Sequence, residues 1–235
     1  MIMNRFIALF VLAFVPAAVL ADSVSYVGTL ANSTDVFETT FTLSSPATIG
    51  LQTWGFGGTG VGTNAAGNPI SGGGTDPFLA VFSGTGSGAT MLTDGSGNPY
   101  ATSLDLSNYG NPNFLGCPPA TAPTIGGFAQ CGDITMTLPS LAAGTYTVVL
   151  SDGQNYASAV FDNGTLGEGF SDLTGGGFCN LSINGVDCPN TSGAYAFDIT
   201  GLPAGTALVP EPGFAGVLSG ALLLVLALKR KSLGK

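Results

Sequence analysis

The chain has 235 residues, with 14 acidic side chains, 5 basic ones and no histidine. All the basic residues (Arg5, Lys229, Arg230, Lys231 and Lys235) lie near the two ends, so residues 22–212 carry carboxylates alone, with a formal charge of −14 against −9 for the whole chain. Nucleic-acid binding needs Lys and Arg on phosphates, triad hydrolysis needs an imidazole, and zinc, copper and non-haem iron favour His or clustered thiolates; none of these classes fits.

The first 21 residues have the organisation of a secretory signal peptide. Arg5 gives a positive start, an apolar run follows over residues 6–15, and Pro16 breaks it. Val19-Leu20-Ala21 presents residues acceptable for cleavage before Asp22, and the run is too short for a stable membrane span. A signal helix that is removed is the expectation.

From residue 22 to 208 no helical periodicity is sustained; short β-type runs alternate with turn clusters. Strands are expected at 23–30, 36–43, 47–54, 78–82, 134–138, 141–151, 157–161, 178–183 and 194–200. Alternation in 36–43 puts Phe37, Phe41 and Leu43 on one face and Glu38, Thr40 and Thr42 on the other, and the clearest strand is 141–151, fed by a turn. With 37 glycines in the chain, long loops must join the strands, and residues 55–77 read as one such surface loop. The expected fold is all-β, a single sandwich of jelly-roll type flanked by the signal helix and a C-terminal transmembrane helix.

Four candidate sites stand out within this body. Asp94, Asn98 and Asp105 place oxygens at relative positions 1, 5 and 12, a spacing like that of a calcium loop. Pro99 stands where that loop needs glycine and Asp105 replaces its bidentate Glu, so an irregular calcium site competes with a simple Asp-Gly turn. Cys117 with Cys131 and Cys179 with Cys188 form two locally spaced pairs; two disulfides are expected in an oxidising compartment, although three connectivities and a thiolate metal site also satisfy the count. Asp152 with Asp162, or Glu168 with Asp172, are near enough in sequence for glycoside hydrolysis, but carboxylates crowd by chance in a polyanion and catalysis is not expected. Trp54, Phe56, Tyr100, Tyr109 and Tyr156 form a sugar-stacking platform if exposed, although in a sandwich aromatics more often serve core or sheet-edge packing.

The C-terminus carries an apolar run over residues 213–228, about 24 Å long as a helix, followed by Lys229, Arg230 and Lys231. Those cations stop transfer and keep the end cytoplasmic. Immediately before the run stands Pro210-Glu211-Pro212.

The tripeptide, the apolar run and the basic cluster, in that order over residues 209–235, resemble the PEP-CTERM sorting signal of Gram-negative bacteria. The resemblance implies recognition by a membrane-embedded exosortase, a membrane-anchored intermediate held by its C-terminal helix, and release at the cell surface or outside. Two prolines hold the tripeptide extended just outside the bilayer, where an enzyme can grip it. The body resembles the bacterial pre-peptidase C-terminal type of sandwich, through Asp35-Val36-Phe37 leading to Phe41, Asp76-Pro77-Phe78-Leu79, Asp94-Gly95 and residues 141–150. That likeness spans about 120 residues and implies an accessory, non-catalytic module, often associated with calcium; it does not account for the region after Phe161. Together the resemblances imply a structural or adhesive component of an exopolysaccharide matrix or biofilm, or else a carbohydrate- or calcium-binding surface module, with no enzyme activity and no nucleic-acid partner.

Overall fold

The structure, a computed structural model, describes residues 23–54, 62–72, 74–103, 124–125, 128–129, 133–173, 177–178 and 192–209. In chain order the first strands are β1 (Ser23–Thr29), β2 (Val36–Leu43), β3 (Ala47–Trp54), β4 (Gly62–Thr63), β5 (Pro69–Ile70) and β6 (Pro77–Ser83). Short strands follow: β7 (Thr90–Met91), β8 (Ala101–Ser103), β9 (Thr124–Ile125) and β10 (Phe128–Ala129). The last group is β11 (Thr135–Leu141), β12 (Gly144–Asp152), β13 (Asn155–Ala157), β14 (Phe170–Asp172), β15 (Ala194–Thr200) and β16 (Ala207–Val209). Every pairing is antiparallel, and the described residues contain short 3-10 turns but no α-helix.

Two sheets enclose the main core. One has the order β1-β15-β3-β11; the other has β16-β2-β12-β6, with β7 and β8 both paired to the far side of β6. Phe37, Phe41, Leu79, Val148 and Leu150 from the second sheet meet Ile49, Leu51, Met136, Phe197 and Ile199 from the first. The arrangement is consistent with a β-sandwich. Alternation in β2 falls as the sequence indicates, with Phe37, Phe41 and Leu43 buried and Glu38 exposed.

The sequence Pro77-Phe-Leu-Ala-Val-Phe82 is apolar without alternation because β6 is covered on both faces. Leu79 and Val81 enter the main core, while Phe78, Ala80 and Phe82 join a second cluster with Met91, Val149, Tyr156 and Leu166. Residues 89–101 and 156–170, in short strands, 3-10 turns and the loops between them, supply that second layer. Here the strand expected at 157–161 is replaced: β13 ends at Ala157, and Ser158–Val160 is a 3-10 turn. Ala157 and Ala159 are both fully buried, which imitates strand alternation in the sequence. Of the strand expected at 178–183, only Phe178 falls within the described residues.

Among the described residues no helix is long and apolar enough to cross a membrane. The expected signal helix and the apolar run at 213–228 lie outside them.

Candidate functional site

The Asp94 loop is built by its own acid. The Asp94 carboxylate accepts the amides of Ser96 (2.8 Å) and Asn98 (2.9 Å) on Oδ1 and the Asn98 side-chain amide (2.9 Å) on Oδ2. Backbone bonds from Asp94 to Asn98 and from Gly97 to Asp94 close the turn, and Gly97 supplies the positive φ of 84° that the reversal needs. The Asn98 side-chain amide, and then the Asn98 backbone amide, hold the Asp94 carboxyl below its ordinary value. Asp94 and Asn98 are therefore brought together, the Asp94 carboxylate as acceptor and Asn98 as donor within one turn. Asp105 lies outside the described residues.

The carboxylate pairs read from the sequence serve separate loops. Asp152, 1% exposed, accepts the Thr75 hydroxyl at 3.1 Å and the Gln154 amide at 3.3 Å. Asp162 accepts the Gly164 amide (3.0 Å), and Glu168 closes a capping box by accepting the Thr165 amide at 2.7 Å. Asp172 stands opposite Asn155 in the β13–β14 ladder. Asp76, which sequence reasoning used only as a marker before a strand, is 2% exposed and lies beside Asp152 at the end where β6 begins and β12 finishes. Gly153 makes room for it, since a Cβ there would come within 2.8 Å of Asp76 Oδ2. Among the described residues no three His, Cys, Asp or Glu side chains converge as metal ligands do.

The aromatic candidates divide. Tyr100 and Tyr156 are buried in the two cores, and burial pushes the Tyr100 hydroxyl up, aided by the charge of Asp94. Trp54 alone among the described candidates reaches a cleft. Its indole N–H donates to Asp198 Oδ2 (2.7 Å), on the outer face of the β1-β15-β3-β11 sheet. Asp198, 2% exposed, also accepts the Ser25 hydroxyl (2.6 Å) and the Ala65 amide (2.8 Å), and Ser25 Oγ accepts the Ala66 amide (3.1 Å). One carboxylate thereby clamps the β4–β5 hairpin over the sheet. Beside the clamp opens a surface cleft of about 240 Å³ lined by Val27, Trp54, Pro69, Ile70 and Tyr195 among others.

Sequence reasoning missed Asp198 and Tyr195. Residues 194–200 alternate cleanly, so Asp198 reads as a solvent-facing acid; only the hairpin, distant in sequence, buries it. Tyr195 lies across Gly28, its cross-strand partner, where a Cβ would sit 2.5 Å from the phenol oxygen. A glycine facing an aromatic across a strand pair is a signal that requires the register to be known first.

Cys117, Cys131, Cys179, Cys188, Phe56, Tyr109, Pro210, Glu211, Pro212, Lys229, Arg230 and Lys231 all lie outside the described residues. The chain matches no protein-family model and no curated protein at a significant level.

Proposed function

We propose that this is an exported, non-catalytic surface or extracellular-matrix protein, sorted through its C-terminal PEP-CTERM-like segment and associated with exopolysaccharide. The observation that carries the reading is the confinement of every cation to the two ends, each beside an apolar run, with Pro210-Glu211-Pro212 at the head of the second. An acidic, jelly-roll-type body whose described carboxylates are engaged in turns and clamps fits a structural module better than a hydrolase.

Fractionation with mass spectrometry of the intact chain tests it. The surface form should begin at Asp22 and lack the basic tail, and Glu211→Ala should leave an unprocessed, membrane-held species. Full-length chain dissolved in the cytosol would overturn the reading. A second reading, a carbohydrate- or calcium-binding module, is supported by the cleft at Trp54 and Tyr195 and by the shared loop of Asp94 and Asn98. Saturable, sugar-specific binding on a glycan array, with and without calcium, would favour it over a purely structural role.

A further inference from the structure

We propose that β1 is a self-recognition edge, through which two copies of this chain pair strand to strand into a closed two-fold dimer. The inference goes beyond the export reading and does not depend on it.

The direction of the unpaired groups follows from one bond. The Leu30 amide donates to the Gly193 carbonyl at 2.8 Å, next to the Thr29 and Ala194 pair. In an antiparallel strand the N–H and C=O of one residue point to the same side, and the side alternates along the chain. Val24, Tyr26 and Gly28 therefore bond toward β15, while Ser23, Ser25, Val27 and Thr29 turn their backbone groups outward. Among the described residues no strand pairs with that side, and Val27 is 65% exposed.

Soluble sheet proteins blunt such edges with proline, charge, bulges or shortness. The other edges here are blunted in these ways. β11 contains Pro139, shifts register between Leu138 and Leu141, and holds Ser140 at a φ of 54°. β16 has 3 residues, with Pro210 next in sequence. β7 and β8 have 2 and 3 residues, and Thr90 of β7 also bridges to Thr165. β1, by contrast, keeps unbroken register over 7 residues of sequence SVSYVGT, with neither charge nor proline.

That sequence suits a second copy of itself. Full antiparallel overlap places the two-fold axis at Tyr26, sets Ser25 opposite Val27 of the second copy and Ser23 opposite Thr29, and satisfies each outward N–H and C=O. No acid faces an acid across the seam, which matters in a body that is otherwise a polyanion. The axis uses up the edge on both copies, and among the described residues the blunted edges offer no second one, so the assembly closes at two.

Sedimentation velocity of the full chain in a mild non-ionic detergent tests this. The wild type should form a dimer that tightens as salt rises, because screening removes like-charge repulsion. Val27→Pro deletes an outward N–H without touching the β1–β15 ladder, and Val27→Lys adds a charged gatekeeper; each should weaken association about tenfold or more, with the far-ultraviolet circular dichroism of the monomer unchanged. A wild type that stays monomeric at roughly 100 µM, or a dimer that survives both substitutions, overturns the proposal. Loss with lysine alone, with the proline variant still dimeric, points to the side-chain face instead of the edge and overturns it equally.

Discussion

At the scale of single residues, Asp198 is the most consequential acid in the described structure. It is buried with no cation near it, and it is tolerated because three donors converge on it: a hydroxyl, an indole and a backbone amide. Asp198→Ala orphans those donors and should cost roughly 2–4 kcal/mol in urea unfolding, since bonds to charged groups are the strong ones. Trp54 is the chain's single tryptophan, so its emission should shift to the red as the hairpin loosens. Asp35 and Asp94 make a different case. Both carboxyls sit below the ordinary value of 3.8, Asp35 through the Asn32 backbone amide first and Asp94 through the Asn98 side chain first. A depressed folded pKa adds stability that is complete above 3.8 and disappears as pH falls through the lower, folded value. The stability difference between the wild type and Asp94→Ala should therefore be largest near neutrality and shrink toward pH 2.

At the scale of strands, β6 carries more packing than any edge. Phe82 is fully buried in the outer cluster, and Phe82→Ala should cost about 3–5 kcal/mol by the transfer and cavity terms together. Val27→Ala on β1 should change stability by less than about 0.5 kcal/mol, being exposed; chemical denaturation of the two variants side by side checks both figures. The long strands were legible in the sequence because alternation in residues 36–43, or an unbroken apolar run in residues 78–82, survives any choice of loops. The two-residue strands were not legible. β4 and β5 exist because Asp198 clamps their hairpin, and β7 because β6 offers it an edge; neither cause is local. The same reason hid the cleft, whose walls come from residues 27–28, 54, 69–71, 74 and 194–195. Conversely, the tight loop at Asp94 was visible as Asp-Gly-Ser-Gly-Asn because both its acceptor and its donors lie within five residues.

At the scale of the whole molecule, the absence of Lys, Arg and His between residues 22 and 212 removes every side-chain ion pair from the body. Salt has no attractive pair to screen there and only repulsion to relieve. The melting temperature should rise between low salt and roughly 0.5 M sodium chloride, where a protein braced by surface ion pairs would lose stability. A fall on adding salt would mean that a bound cation, displaced by sodium, contributes to the fold. Calorimetry across a salt series checks the sign directly.

The last ladder contact, Val209 with Thr40 in β2, stands four residues before Gly213, where the apolar run begins. Four residues of chain can span at most about 14 Å. In the proposed membrane-held intermediate, a body tethered so closely would have little freedom to tumble, and the flank formed by β2 and β16 would stay turned toward the bilayer. Cutting that tether, as the proposed sorting requires, would restore free rotation to the domain at once, so its tumbling rate reports release directly.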